Sequence, residues 1–419
     1  MDVAIIADDL TGAADSGVQL ANSGYHTAVA FWGATVPPAE DLDAVAVDTD
    51  SRSLPAGFAA KRVIEAGHAV RDARVVYKKI DSTLRGPIPA ELAAALGATR
   101  RKKAVVAPAF PNAGRTTEGG VLLVDGKPVH ETGLARDPRT PVVESHIPSL
   151  LSQAFNSVAS LSVTRIRESE AVLDALKNAD CVVADAESDE DLEAIVRAVP
   201  DPSSLLWVGS AGLAQAFGKV YPGPRGNVLS RSLASASRVL AVIGSVNEIT
   251  REQLRRLTEE SGVAPVVLDT AALVAGSFEE VVAETAEAVG VTLSGRHSAA
   301  LYSAMGAEVE STLRDSSVSG GEISGRVADA LARVVAELSK EDLFDALVLT
   351  GGDTAVRVAS ELEATGILLE GEIEAGVPVG TLLGPRPYPV ITKAGGFGGP
   401  ETLSAAFGSL AHTRKDGQT

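Results

Sequence analysis

The chain contains a single cysteine, Cys181, among its 419 residues. One cysteine excludes a disulfide framework and a cysteine-based zinc site within the chain. Because Cys181 lies in an apolar run, we expect it to be buried in a strand rather than to act as a nucleophile. The six histidines include no pair at i, i+4 spacing, which disfavours the helical motif of a zinc hydrolase.

Long apolar runs and positive charge are also scarce. No stretch approaches the ~18 apolar residues of a membrane span, and no basic segment at the start indicates a secretory leader. The 37 lysines and arginines are outnumbered by 55 aspartates and glutamates, which gives a formal net charge of −18. This charge repels nucleic acid and anionic lipid. We therefore expect a cytoplasmic protein that binds a small molecule and neither nucleic acid nor membrane, with a homodimer as the base-rate assembly.

Short β-rich runs alternate with amphipathic stretches along the chain. This alternation predicts an α/β fold of mainly parallel sheets with flanking helices. Segment Tyr221–Ser237 is rich in proline, glycine and serine and is interpreted as a linker, so we expect domains at residues 1–230 and 235–419. Segment Leu123–Pro148 has little helical signal and predicts a flap or a small β-ribbon. The predicted strands are Val3–Ala7, Ala44–Val47, Arg74–Lys79, Lys103–Ala107, Cys181–Ala184, Leu205–Val208, Val239–Ile243, Pro265–Leu268, Ala299–Tyr302, Ala346–Leu349 and Val390–Lys393.

Two adjacent carboxylates, Asp8 and Asp9, follow the first predicted strand and precede a predicted helix. Ligands of open α/β sheets bind at this end of the strands. A carboxylate pair there can bind sugar hydroxyls, hold a magnesium ion or accept a proton. The alternative is that Asp9 or Thr11 only caps the helix.

A second polar segment, KKIDSTLRG, follows the predicted strand that ends at Lys79. The planar guanidinium of Arg85 suits a carboxylate or phosphate, and Lys79 offers a point charge. Asp81 and Ser82 suit the hydroxyls of a polyol. A solvated loop is the alternative, but the combination predicts a site for a small hydroxylated acid. Arg115, in a loop after another predicted strand, is expected to add a second cation.

Three glycine-containing turns follow predicted strands in the second half: GSVN, TGGDT and TKAGGFGG. Glycine lets backbone N–H groups approach phosphate oxygens, and a following helix favours the anion. Each turn alone is ordinary in α/β proteins, but three in one domain favour a nucleotide site. Neither a Walker A pattern nor a GxGxxG fingerprint after a strand is present. The turns therefore predict a nucleotide site of another type, with Asn247 and Gly396 among its residues and Lys393 as a phosphate partner.

Six segments in order, ADDLTGA, KKIDSTLRG, PAFPNAGR, GSVNEIT, TGGDTA and TKAGGFG, resemble those of the four-carbon acid sugar kinases. That group includes 3-oxo-tetronate, threonate and erythronate kinases. The resemblance spans nearly the whole chain. It implies an acid-sugar-binding first domain, a nucleotide-binding second domain, and phosphoryl transfer from ATP to the terminal hydroxyl at the cleft between them. Two positions differ from the usual pattern: Asn247 stands where the family often has serine, and Asp353 where it often has glutamate.

The resemblance also implies roles for individual residues. ATP would contact Ser245, Gly351, Gly352, Asp353, Thr354 and Gly395, with Mg²⁺ bridging its phosphates. The acid would contact Asp8, Asp9, Lys79, Asp81, Ser82 and Arg85. Either Asp9 or Asp81 would orient or deprotonate the attacking hydroxyl, and the residues leave open which of them does so and which groups hold the metal. Two other functions remain open at this point: a nucleotide-dependent oxidoreductase of small sugar acids, and a two-lobed sugar-acid sensor without catalysis.

Overall fold

The computed structural model describes residues 1–37, 41–137, 139–168, 170–225, 236–244, 247–295, 298–303 and 320–411. The chain divides into two compact units, Met1–Leu229 and Ser230–Thr419, and each contains mainly parallel strands with flanking helices. The predicted fold class is confirmed in this respect. Residues 226–235 of the predicted linker and Ser245 lie outside the described ranges.

The first unit is built on an all-parallel sheet whose strands are mostly continuous apolar runs. Its strands are β1 Val3–Ala7, β2 Thr27–Ala30, β3 Ala44–Asp48, β4 Val75–Lys79, β5 Ala104–Ala107, β9 Val158–Leu161, β10 Cys181–Ala184 and β11 Leu206–Gly209. They are ordered β2-β3-β1-β4-β11-β5-β10-β9. All of β1 is buried, as expected for strands that helices cover on both faces.

A small antiparallel ribbon extends from this unit. It consists of β6 Arg115–Glu118, β7 Val121–Val124 and β8 Lys127–Pro128. Strand β7 overlaps the start of the segment for which a flap or a ribbon was predicted, and β8 lies within it, so the ribbon interpretation is confirmed there. The helices of the first unit are Leu10–Asn22, Ala56–Val70, Ile88–Thr99, Ile147–Leu151, Val163–Ile166, Ala171–Asn178, Asp189–Arg197 and Ala211–Val220.

Cys181 is fully buried in β10. Burial raises the pKa of its thiol to about 12, so the thiolate needed for nucleophilic chemistry is not formed near neutral pH. The interpretation of Cys181 as an inert core residue is confirmed.

The second unit mixes parallel and antiparallel strands. Its strands are β12 Val239–Ile243, β13 Ala264–Leu268, β14 Ala299–Ser303, β15 Ala346–Thr350, β16 Gly366–Glu372, β17 Pro378–Leu383 and β18 Tyr388–Lys393, in the order β13-β14-β12-β15-β18-β17-β16. The pairs from β13 to β18 are parallel, and β17 pairs antiparallel with both of its neighbours. The helices are Glu248–Glu260, Thr270–Ala275, Phe278–Ser294, Gly320–Lys340, Gly352–Glu361 and Thr402–Leu410. Among the described helices of both units, none has the length and apolar character needed to cross a membrane.

The strand order places polar turns side by side in each unit. In the first sheet β1 lies between β3 and β4, and Ala7 is in register with Asp48 on one side and Lys79 on the other. In the second sheet Thr350 is in register with Ile243 and with Lys393. Because parallel strands end at the same edge, the segments that follow these residues meet there, at the points where the strand order reverses.

Candidate active site

The carboxyl edge of β1, β3 and β4 gathers most of the acid-binding residues that the sequence predicts. Asp8 and Asp9 follow β1, and Lys79 ends β4 two residues before Asp81. At Gly12, an added Cβ would lie 2.6 Å from Asp9 Oδ1 and 2.8 Å from Lys79 Nζ. The start of the first helix therefore has a carboxylate and an ammonium group on either side of a glycine that leaves room for both.

Arg52, which the sequence reasoning missed, lies at the centre of this edge. Its Nε and Nη2 donate to the two oxygens of Asp8 at 2.6 and 3.0 Å. Its Nη1 and Nη2 donate to the two oxygens of Asp9 at 2.6 and 2.7 Å. Nη2 also lies 3.7 Å from Asp81 Oδ1. One largely buried guanidinium thus pairs with carboxylates from two strand ends, and the charged arrangement depends on it.

Asp9 combines a capping role with a position open to a ligand. Its Oδ1 accepts a hydrogen bond from Gly12 N at 2.8 Å, so it does cap the helix Leu10–Asn22. Its side chain nevertheless keeps 27% of its surface exposed. Burial of the carboxyl raises the pKa of Asp9, and the neighbouring Asp8 raises it further, against the lowering effect of Arg52. Asp9 therefore holds its proton more readily than an ordinary aspartate.

Asp8 and Asp81 have the opposite protonation tendency. Burial alone would raise the pKa of Asp8, but Arg52 and Lys79 lower it below the usual value. The pKa of Asp81 is also lowered, because Arg52 and Arg85 outweigh its burial. Both groups are fixed anions near neutral pH.

Arg85 joins Asp81 through a bidentate pair and still presents an outer edge. Its Nε donates to Asp81 Oδ2 at 2.9 Å and its Nη2 to Asp81 Oδ1 at 3.0 Å. Its Nη1 lies 3.9 Å from Asp137 Oδ2, and 31% of the side-chain surface is exposed. A guanidinium held at one edge and exposed at the other is oriented for a second carboxylate.

Two further residues predicted to bind the acid, Ser82 and Arg115, differ in their position relative to the group around Arg52: the first lies next to it in the chain and the second lies apart from it. Ser82 lies in the same turn as Asp81 and is half-buried. Arg115 starts β6, and its Nη1 donates to the carbonyl of Ala113. Within the described ranges, none of the side-chain contacts of Arg115 joins it to the group around Arg52.

In the second unit, the turns after β12, β15 and β18 meet at one edge. Gly244 N donates to Thr350 O at 3.1 Å, and Gly351 N donates to Lys393 O at 2.9 Å. Gly351 has a φ of +101°, a conformation that favours glycine. It begins the helix Gly352–Glu361 without a side-chain cap, and Asp353 and Thr354 lie in its first turn. Such a helix start can bind an anion through its backbone N–H groups.

Lys393 points into the third turn rather than away from it. Its Nζ donates to the carbonyls of Ala394, Gly395 and Phe397 at 2.9, 3.1 and 3.0 Å. Burial lowers the pKa of Lys393 to about 8, against a smaller opposing effect of Glu374. All three ammonium protons are used by the turn, so in this structure Lys393 organises the backbone of that turn.

The first helix of the second unit supports the same turn. Thr250 Oγ1 donates to Gly395 O at 2.5 Å, and Gln253 Nε2 donates to Gly399 O at 2.7 Å. Asn247 caps this helix by accepting from Thr250 N at 3.1 Å. A Cβ added at Gly396 would lie 3.2 Å from Asn247 Nδ2. The predicted residues of the first and third turns are therefore adjacent, apart from Ser245, which is not described.

The chain matches two family models in succession. Residues 3–217 match a sugar-binding N-terminal domain, and residues 240–403 match a nucleotide-binding C-terminal domain. In solved structures, a Salmonella typhimurium LT2 protein described as a putative tRNA synthase has a TM-score of 0.83 at 24% identity, over 97% of this chain and 98% of that chain. A Haemophilus influenzae protein has a TM-score of 0.76 at 22% identity, over 97% and 99% of the two chains. These likenesses show that the fold is shared.

Similar sequences of known activity cover the chain almost completely. It is 36% identical to the D-threonate kinase of Salmonella typhimurium, over 97% of this chain and 98% of that protein. It is 33% identical to the D-erythronate kinase of Heliobacterium modesticaldum, over 94% and 93% of the two chains. It is 32% identical to the 3-oxo-tetronate kinase of Methylobacterium radiotolerans, over 97% and 98%. The resemblance that the six sequence segments indicated is confirmed, and the chain belongs to the family of ATP-dependent four-carbon acid sugar kinases.

Proposed function

We propose that the carboxyl edge of β1, β3 and β4 binds the four-carbon acid and that the turns after β12, β15 and β18 bind ATP. The first unit, within residues 1–230, would then be the acid-binding domain, and the second, within 235–419, the nucleotide-binding domain. The observation that carries this proposal is the group formed by Asp8, Asp9, Arg52, Asp81 and Arg85, which offers both cationic and hydroxyl-binding groups at one edge.

Recognition of the acid divides between cations and carboxylates. The exposed outer edge of Arg85 suits the substrate carboxylate, because its inner edge is already fixed by Asp81. Lys79 adds positive charge from the neighbouring strand end. Asp9, as a partly exposed hydrogen-bond acceptor, suits a substrate hydroxyl. Arg115, which lies apart from this group, is less well placed for the carboxylate than Arg85.

The geometry favours Asp9 over Asp81 as the group that orients the attacking hydroxyl and takes its proton. Both carboxylates accept hydrogen bonds from an arginine, but Asp81 keeps only 8% of its side-chain surface exposed, whereas Asp9 keeps 27%. The raised pKa of Asp9 makes it the better proton acceptor, as general-base catalysis requires. Phosphoryl transfer depends on positioning and charge neutralisation more than on covalent chemistry.

Backbone groups of the second unit suit the triphosphate. Gly351, Gly352 and the helix start with Asp353 and Thr354 would bind phosphate oxygens through N–H groups. Gly395 and Gly396 would form the opposite wall, held in shape by Lys393. ATP supplies the phosphoryl group, and the residues of this edge would bind and orient it.

Mg²⁺, expected from the sequence as the partner of ATP, has no evident protein site in the described ranges. No group of three or more His, Cys, Asp or Glu side chains there could hold a metal ion. Magnesium commonly keeps several waters and binds through substrate phosphates. We therefore assign it no residue and no step.

The identity of the acid is tested by ADP release in the presence of D-threonate, D-erythronate and 3-oxo-tetronates. We expect kcat/KM to be highest with D-threonate, the substrate named for three relatives at 33–36% identity. A higher value for another acid would reassign the substrate, and ADP release no greater than with ATP alone would contradict the kinase proposal.

Light scattering of the same preparation tests the expected homodimer.

Replacement of Arg85 by alanine tests the carboxylate contact. The KM for the acid should rise about 10- to 100-fold, the equivalent of the roughly 1.5–3 kcal/mol of a charged hydrogen bond, while the KM for ATP stays unchanged. Arg101→Ala is the matched control, because Arg101 Nη2 donates to the carbonyls of Ala73 and Arg74, at the opposite end of β4. Equal increases in the KM for the acid and the KM for ATP would show that Arg85 does not specifically bind the acid.

The pair Asp9→Asn and Asp81→Asn tests the choice of base. Asparagine still caps a helix, so Asp9→Asn should fold and lose about 10²- to 10⁴-fold in kcat. Asp81→Asn should mainly raise the KM for the acid. In the unmodified enzyme, kcat should fall as pH decreases through the raised pKa of Asp9, because the protonated carboxyl cannot accept a proton. A larger kcat loss in Asp81→Asn would reverse the assignment.

Two glycine substitutions in one turn test the nucleotide wall. A Cβ at Gly396 would press on Asn247, whereas a Cβ at Gly399 would meet no atom within 4 Å. Gly396→Ala should raise the KM for ATP roughly 3- to 10-fold, or about 1 kcal/mol, and Gly399→Ala should leave it unchanged. Nucleotide affinity is measured by calorimetry with an unreactive ATP analogue. Identical affinities of the two variants would place the nucleotide away from Gly396.

A further inference from the structure

A second lysine next to the proposed site is completely buried. Lys78 and Lys79 are consecutive in β4, so their side chains lie on opposite faces of the sheet. Lys79 faces the start of the first helix, while Lys78 Nζ lies 2.9 Å from Glu91 Oε2. Glu91 belongs to the helix Ile88–Thr99, and both side chains are inaccessible, at 0% and 2% exposure. Neither can touch a substrate.

The other oxygen of Glu91 reaches the segment that carries Arg52. Ser51 Oγ donates to Glu91 Oε1 at 2.5 Å. Ser51 N and Arg52 N both donate to Asp8 O, at 2.8 and 3.1 Å, and Thr49 Oγ1 donates to Ala7 O at 2.6 Å. The Glu91 carboxylate therefore connects the segment after β3, which positions Arg52, to β4, which positions Asp81.

Stability alone does not account for this arrangement. Burying a lysine and a glutamate together removes two charges from water, and well-packed apolar residues of similar volume are commonly as stable or more stable. Packing against the helix would be satisfied by such residues, since Val76 in β4 and Ile80, directly after it, belong to the apolar core. What apolar residues would not provide is a hydrogen bond to Ser51.

We propose that the chain Ser51–Glu91–Lys78 is a positioning device for Arg52, which fixes where its guanidinium holds Asp8 and Asp9 relative to Asp81. This inference rests on the proposed role of that edge in binding the acid. The three residues act through Arg52 and not on the substrate. Displacement of Arg52 would alter the charges around Asp9. These are Arg52 from the segment after β3, Asp48 at the end of β3, Asp8 from its own segment, and Lys79, Asp81 and Arg85 from the end of β4 and the turn after it.

The first test is Ser51→Ala, which removes the hydroxyl and leaves the Lys78–Glu91 pair in place. We expect kcat to fall about tenfold, the KM for ATP to stay the same, and the acidic limb of the kcat profile to move to higher pH. The direction follows because Arg52 is the main group that lowers the pKa of Asp9. Ser51→Thr, which restores a hydroxyl, should recover most of kcat.

The matched control is Thr99→Val, which removes a buried hydroxyl from the far end of Ile88–Thr99, the helix that carries Glu91. Thr99 Oγ1 donates to Ala95 O, one turn earlier in that helix, so Thr99→Val should leave the pH profile unchanged. If Ser51→Ala shows the same kcat and the same acidic limb as Thr99→Val, the positioning role is refuted.

A double substitution separates positioning from stability. Lys78→Met combined with Glu91→Leu replaces the ion pair by apolar side chains, which should preserve or raise the urea midpoint of unfolding. If the buried ion pair positions Arg52, the stable double variant should lose about tenfold or more in kcat. Full activity in the stable double variant would overturn the positioning role.

Crystal structures of the unmodified protein and of Ser51→Ala test the positioning role independently of catalysis. A guanidinium of Arg52 displaced from Asp9 supports it, and an unmoved guanidinium contradicts it. If the unmodified protein releases no ADP with any four-carbon acid, the proposed function fails, while this structural comparison still decides the positioning role.

Discussion

The proposed acid-binding edge depends on the Arg52 guanidinium, which donates four hydrogen bonds to Asp8 and Asp9. Three carboxylates at adjacent strand ends would repel one another and would be protonated on burial without an opposite charge. With Arg52 among them, Asp8 and Asp81 remain anions, whereas Asp9 has a raised pKa. With Arg52, Lys79 and Arg85 nearby, the three similar carboxyl groups have different pKa shifts, and of the three only Asp9 is both partly exposed and raised in pKa.

The two units present different chemical groups at the carboxyl edge of their parallel strands. In the first, side-chain charges extend from the carboxyl edge of a parallel sheet. In the second, the corresponding edge is formed mostly by glycine turns, and its buried lysine, Lys393, binds carbonyls of its own turn. Side chains can discriminate hydroxyls and a carboxylate, whereas backbone N–H groups suit phosphate oxygens that every nucleoside triphosphate shares. The proposed division between a specific acid site and a general phosphate site rests on this difference between the two edges.

The sequence predicts the parallel core well, because strands such as β1, β10 and β12 are uninterrupted apolar runs. It does not predict β16 and β17, whose glycines and glutamates interrupt the apolar pattern, nor β2, which has only four residues. Arg52 could have been found: the polar run DTDSR begins at the last residue of β3, and the rule applied to the ends of β1 and β4 applies there equally. The partners of Lys78 could not, because the pairing with Glu91 depends on how the helix Ile88–Thr99 packs on the sheet.

The central claim is that the acid and the nucleotide bind to different units, each at the carboxyl edge of its sheet. Hydrogen-exchange mass spectrometry of the full chain tests it directly, with saturating D-threonate in one sample and an unreactive ATP analogue in another. The account predicts that the acid protects residues 8–12, 49–52 and 79–85, and that the nucleotide protects 350–354 and 393–399. Protection of residues 8–12 and 79–85 by the nucleotide alone, with 350–354 unaffected, would contradict it.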